Sequence, residues 1–267
     1  MSVFDLNGRT ALVTGGARGL GAGIAQAFAA AGAAVMIGDI LEDAGRDTAE
    51  LLEKDGGAAG FVKLDITQDA DWAAATAHTV AEFGGRDIVV NHAGIELSAL
   101  MIDADPDDLR RMLDVNVVGA ALGIKHAFRA MRPGGPAGHG GAIVNVSSVA
   151  ATIAFPGISG YSATKSAVDR LTRVAAAESG KLGYGVRVNC IYPGLVPTEM
   201  GAKLAADMAE LGLWPSAEAA VGDVIGLTPL GRLGEVSDMA DAVVFFASDA
   251  SRFITGAGLP VDGGMGM

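Results

Sequence analysis

Arg9-Thr10-Ala11-Leu12-Val13-Thr14-Gly15-Gly16-Ala17-Arg18-Gly19-Leu20-Gly21 carries a short apolar run straight into a glycine-rich turn. Behind it Leu20, Ile24 and Phe28 recur at helical spacing, and Gly32 closes the element. Buried strand, glycine turn and helix N-terminus, in that order, make a seat for a pyrophosphate. Free N–H groups and the positive end of the helix dipole face the anion, and the glycines let the backbone come close. The flanking elements supply the context that a bare glycine pattern lacks. The next apolar run, Ala33-Ala34-Val35-Met36-Ile37-Gly38, ends in Asp39, 24 residues after Gly15. A carboxylate there accepts hydrogen bonds from the adenosine ribose hydroxyls and repels a 2′-phosphate, so NAD is expected over NADP. Arg18 weighs the other way, because a basic residue inside the turn could contact a phosphate. The structural alternative for Asp39 is a strand-end cap.

Working outward, strand-like and helical stretches alternate to the end of the chain without an internal repeat or a long charged linker. Further strands are expected over residues 59–64, 87–90, 142–146, 186–191 and 258–261. This is the pattern of an α/β chain with a doubly wound parallel sheet flanked by helices on both faces. The length of 267 residues, half of them hydrophobic, suits one large domain spanning residues 1–267. The glycine- and proline-rich residues 133–141 read as a helix-to-strand loop rather than a hinge.

A second constellation carries chemistry. In Tyr161-Ser162-Ala163-Thr164-Lys165 the phenol and the ammonium are four residues apart, on one face of a helix. A cation beside a phenol favours the phenolate, which would bring the Tyr161 pKa down from about 10 toward the range of a working acid/base. By itself the spacing equally fits a helix-face Tyr with a solvated Lys. Upstream, Ile143-Val144-Asn145-Val146-Ser147 reads as a buried strand running into Ser148. Asn116 lies in the apolar stretch Leu113-Asp114-Val115-Asn116-Val117-Val118-Gly119, expected to be a buried helix, where an amide must find partners.

Thr14-Gly15-x-x-x-Gly19-x-Gly21, Asn91-His92-Ala93-Gly94, Asn116, Ser148, Tyr161-x-x-x-Lys165 and Pro193-Gly194 stand in the order and spacing of the short-chain dehydrogenase/reductase family, which the chain resembles from Leu6 to Val261-Asp262-Gly263-Gly264. The resemblance implies a single-domain Rossmann fold, a nicotinamide cofactor and hydride transfer based on a tyrosine. It casts Tyr161 as the acid/base and Ser148 as holder of the reacting oxygen; the spacing of thirteen residues before the Tyr selects Ser148 over Ser147. Lys165 would lower the Tyr161 pKa and bind the nicotinamide ribose, and Asn116 would support a water relaying the proton from Lys165. A helix–helix hydrogen bond is the alternative for Asn116. Gly15, Arg18, Gly19, Leu20 and Gly21 would cradle the pyrophosphate. Asp39, Ile40, Asp65 and Ile66 would lie at the adenosine side, and Asn91, Ala93 and Gly94 would line the cofactor. Pro193, Gly194, Val196 and Thr198 would border the nicotinamide carboxamide. His92 stands where the family more often has a second Asn, which could alter the hydrogen bonding beneath the cofactor.

For substrate, the sequence offers an apolar lid at about residues 195–230, long for a strand-to-helix connection. It holds Met200, Leu204, Met208, Leu211, Leu213 and Trp214, and Ile153, Phe155 and Ile158 lie across the expected pocket. Such a mouth suits a small hydrophobic alcohol or ketone such as a hydroxysteroid or cyclic alcohol; the same residues could instead pack only the lid and a subunit interface. The alternatives are a 3-oxoacyl-(acyl carrier protein) reductase, against which Asp39 and the charge speak, and a Rossmann-fold binding protein without catalysis, against which the combination of Asn116, Ser148, Tyr161 and Lys165 speaks.

The formal net charge of −12 argues against nucleic acid or an anionic membrane as partner. Arg170, Arg173 and Lys181 form a modest basic patch, read as solvent or interface charge. The four histidines lack metal-ligand spacing, so no metal is expected. Cys190, the only cysteine, reads as a small buried hydrophobe. Without an evident signal peptide or membrane span, a cytoplasmic location is expected. Family members are commonly homotetramers that pack the helices corresponding to residues 106–131 and 159–183, and the mean hydropathy of +0.38 fits additional buried surface.

Overall fold

The computed structural model describes residues 3–267. Seven apolar runs become the strands β1 (Thr10–Thr14), β2 (Ala34–Asp39), β3 (Ala59–Lys63), β4 (Ile88–Asn91), β5 (Gly141–Val146), β6 (Val186–Pro193) and β7 (Gly258–Val261). They form one sheet in the order β3-β2-β1-β4-β5-β6-β7, with every neighbouring pair parallel. Parallel neighbours need crossovers, and helices supply them. These are α1 (Gly19–Ala30), α2 (Glu42–Lys54), α3 (Asp69–Phe83), α4 (Pro106–Leu113), α5 (Gly119–Met131), α6 (Ser159–Leu182), α7 (Glu199–Glu210), α8 (Ala217–Leu227) and α9 (Val236–Ala247).

Each face of the sheet carries its own core. Ile24 and Phe28 of α1 and Val243 and Phe246 of α9 cover one side of β1, β2 and β4. Trp72, Ala127, Phe128 and Met131 cover the other, against Leu12, Val89, Ile143 and Val188. Strands buried on both faces explain the unbroken apolar runs of the sequence. The chain winds from β1 out to β3 and then crosses to β4. This places the switch point at the carboxyl ends of β1 and β4, where an open α/β sheet presents its ligand crevice.

Two expected elements are reshaped. Residues 113–119 are no uniform buried helix: α4 and α5 are joined by a π turn, Asp114–Val118. Asn116 is buried while Leu113 and Val118 are exposed. The wider turn adds a residue and rotates the amide inward. The long connection at residues 195–230 takes up its length in α7 and α8. The strand ends otherwise lie within a residue or two of their expected positions.

Candidate active site

At the end of β1 the backbone turns through Gly15, whose φ of +68° is left-handed and whose absent Cβ would stand 2.8 Å from His92 Nδ1. A Cβ on Gly21 would lie 2.0 Å from the Gly15 carbonyl oxygen, so the first turn of α1 closes only with glycine there. Helix α1 opens without a side-chain cap and with no acidic residue in its first turn, which leaves its N-terminus to an anion. Thr14 Oγ1 donates to the Val90 carbonyl (3.2 Å) and accepts from the N–H groups of His92 and Ala93 (3.1 Å each), tying the two strand ends together. His92 Nδ1 lies 3.2 Å from the Thr14 carbonyl, so the neutral ring donates there. Burial beside Lys165 holds the His92 pKa down to about 4.

Asp39 is buried at the end of β2, where its carboxylate accepts from Ala17 N–H (3.1 Å) and Leu41 N–H (3.0 Å). Asp39 thus caps the end of its strand and the turn that follows it. Ile40 beside it is exposed. Asp65 accepts from both the N–H and the hydroxyl of Thr67, and Ile66 is buried against α5 at Gly119. The Asn91 side chain donates to Asn145 (2.7 Å) and lies against Gly123 on α5. Arg18 is paired with Glu199, the first residue of α7, so its guanidinium spans from the glycine turn to the lid. Thr198 caps α7 through its hydroxyl and comes within van der Waals reach of Gly19. Val196 is buried, and Pro193 and Gly194 end β6 against Val261 and Asp262.

Ser148 leaves β5 and accepts from Ala150 N–H at 3.1 Å. Helix α6 brings up Tyr161 and Lys165 beside it. Lys165 is buried, donates to the Val146 carbonyl at 2.9 Å, and sits 5.5 Å from the centre of the Tyr161 ring. A Cβ on Gly94 would meet both Lys165 Nζ (3.5 Å) and Asn116 Oδ1 (3.0 Å), so the three groups are packed together. Asn116 clamps Ile95 by accepting from its N–H (2.8 Å) and donating to its carbonyl (2.9 Å), and donates to Thr164 Oγ1 (3.0 Å). The helix–helix bond and the support of the 94–96 loop are therefore the same device.

A model of the short-chain dehydrogenase class, described as Enoyl-(Acyl carrier protein) reductase, matches residues 15–266. The chain belongs to the short-chain dehydrogenase/reductase family. Among its relatives, trans-4-hydroxycyclohexanecarboxylate dehydrogenase of Sinomonas cyclohexanicum is 38% identical over 96% of this chain and 92% of the relative. The 3-alpha-(or 20-beta)-hydroxysteroid dehydrogenase of Mycobacterium tuberculosis (strain ATCC 25618 / H37Rv) is 40% identical over 97% of this chain and 90% of the relative. The crystal structure of gluconate 5-dehydrogenase from Burkholderia cenocepacia J2315, in complex with NADP and tartrate, superposes with a TM-score of 0.84 at 34% identity, covering 98% of this chain and 96% of that one.

One expectation about this short-chain dehydrogenase/reductase is corrected by its geometry. The Tyr161 pKa is raised rather than lowered. Burial pushes the phenol up to about 12; the Ser148 hydroxyl, hydrogen-bonded to it, opposes that rise, and the Glu96 carboxylate adds to it. The ammonium is turned to the Val146 carbonyl, and its own pKa is brought down to about 8 by burial. Sequence reasoning also passed over Glu96, a carboxylate two residues after the Asn91-His92-Ala93-Gly94 motif, and Thr164, the partner of Asn116. A charge in an otherwise apolar run was the available signal for Glu96.

The lid residues converge on the site. Leu204, Met208, Leu211, Leu213 and Trp214 pack with Phe155, Ile158 and Tyr161, while Met200 is exposed and Ile153 half-buried. Arg173 is held by Asp169, and Cys190 is buried with its thiol pushed up to about 11, as suits an inert core residue. Among the described residues no helix is long and apolar enough to cross a membrane, and no group of three His, Cys, Asp or Glu side chains could hold a metal.

Proposed function

We propose that this enzyme interconverts a hydrophobic secondary alcohol and its ketone with NAD as the hydride carrier. The observation that carries the reading is the joining of Ser148, Tyr161 and Lys165 at the switch point under an apolar lid that touches Tyr161 itself. In the oxidative direction Tyr161 takes the hydroxyl proton of the alcohol. Ser148 holds the oxygen as its charge changes, an oxyanion-type role. Lys165, beside Gly94 and Asn116, would hold the ribose and pass the proton onward. A bound NAD would supply the acceptor for the hydride of the carbinol carbon. The uncapped α1 N-terminus and the glycine turn fit the pyrophosphate, and Asp39 at the end of β2 fits a ribose with a free 2′-hydroxyl.

Relatives that act on a hydroxycyclohexane ring and on hydroxysteroids support a cyclic alcohol as the substrate class. The alternative, a 3-oxoacyl-(acyl carrier protein) reductase, is not favoured by the acidic Asp39 and the net charge of −12, which suit neither NADPH nor an acidic carrier protein. A homotetramer packed through α4, α5 and α6 is part of the same reading.

The test is nicotinamide absorbance during oxidation of alcohols from short aliphatic to cyclic and steroidal, with NAD and NADP in parallel. Turnover with NAD that rises with the bulk of the ring is the expected result. Activity confined to 3-oxoacyl thioesters with NADPH would replace this reading by the alternative. Tyr161→Phe is expected to cut turnover by at least about a hundredfold while NADH binding, followed by fluorescence, is nearly unchanged.

A further inference from the structure

Glu96 is 6% exposed, and only one of its oxygens is satisfied. Oε1 accepts from the Ser98 hydroxyl at 2.7 Å, whereas Oε2 has no hydrogen-bond partner. An unpartnered buried carboxylate oxygen costs stability, and native folds keep few of them. The loop bearing Glu96 is pinned on both sides. Asn116 clamps Ile95, and Ala99 N–H donates to the Gly157 carbonyl at 2.8 Å. Gly157 lies under the lid, where a Cβ would meet Met208 Cε at 2.9 Å and Leu213 Cδ1 at 3.1 Å. Glu96 therefore belongs to the wall between Tyr161 and α7, close enough for its charge to act on Tyr161 and to feel Lys203 and Asp207. Lys203 is already paired with Asp207 and does not bond to Glu96.

We propose that Glu96 is a specificity-determining residue whose free oxygen accepts a hydrogen bond from a second hydroxyl of the alcohol, so that the substrate is a cyclic alcohol bearing two or more hydroxyls. The inference rests on the alcohol dehydrogenase reading above. A second hydroxyl completes the hydrogen bonding of Oε2, a plain ring leaves it unmet, and a ring carboxylate in the same place meets like charge.

The experiment compares kcat/KM with NAD for cyclohexanol, the isomeric cyclohexanediols and 4-hydroxycyclohexanecarboxylate, using the wild-type enzyme, Glu96→Gln and Glu96→Leu. The wild type should prefer at least one diol over cyclohexanol by about tenfold or more, and Glu96→Leu should erase that ratio. Glu96→Gln should raise the carboxylate-to-diol ratio and move the pH at which oxidation rises toward acid, because a negative charge beside Tyr161 has gone. A merely structural carboxylate would shift the pH profile through its charge but leave the carboxylate-to-diol ratio unchanged. The proposal is overturned if the wild type shows no diol preference, a result that needs no variant to fold, or if the ratio survives in Glu96→Leu. Failure of the wild type to oxidise any ring alcohol would instead overturn the underlying reading, and the proposal with it.

Discussion

Ser148 acts on Tyr161 through one hydrogen bond that favours the phenolate, against burial and the Glu96 carboxylate, which favour the phenol. Oxidation needs the phenolate, so kcat/KM for the alcohol should climb as pH rises toward the Tyr161 pKa. Ser148→Ala removes the interaction that lowers this pKa. Its rising limb should therefore lie at higher pH than that of the wild type, with a rate loss of about a hundredfold at neutral pH, measured as a pH profile of NADH formation. His92 supplies a stability counterpart. Its folded pKa of about 4 lies below the ordinary 6.5, so it favours the fold above pH 6.5 and withdraws that support as pH falls through 4. His92→Asn should flatten the loss of stability between pH 6.5 and 4, a span worth up to about 3 kcal/mol, in urea unfolding at several pH values. The Tyr161–Lys165 spacing was legible because one helical turn is a local property. The direction of the ammonium was not, since the Val146 carbonyl that captures it comes from another strand.

At the scale of elements, the β2 end and the turn into α1 are joined through Asp39, whose carboxylate serves Ala17 and Leu41. Asp39→Ala should narrow the preference for NAD over NADP in parallel kcat/KM measurements, and should also lower stability by about 1–3 kcal/mol because two N–H groups lose their acceptor. An unchanged coenzyme preference would assign discrimination to another residue, Arg18 first among them. The strand–glycine turn–helix unit could be read directly, since apolar period and backbone freedom are properties of neighbouring residues. The π turn at Asp114–Val118 could not. It forms because Asn116 must reach Ile95 on one side and Thr164 on α6, partners that only the packed helices bring within range.

For the whole molecule, the outer faces of α4, the π turn and α6 leave Leu113, Val118, Val174 and Leu182 exposed, and Phe253 is fully exposed near β7. Such apolar surface is costly on a single subunit and would be recovered by packing against other copies. Sedimentation velocity should therefore give a mass of four chains, with Val174→Glu shifting it downward; a single-chain mass would remove the tetramer from the proposed function. By itself the sequence determined the parallel α/β architecture, the glycine turn and the order of Asn116, Ser148, Tyr161 and Lys165, because strand and helix periods, glycine conformations and motif spacings are written along the chain. Only the tertiary structure decided that Lys165 faces Val146, that Asn91 spends its side chain on Asn145, that the lid closes on Tyr161 and that one oxygen of Glu96 is left unpaired. Each of those depends on which distant groups share a buried volume, and desolvation and hydrogen-bond partners are settled there rather than by neighbours in sequence.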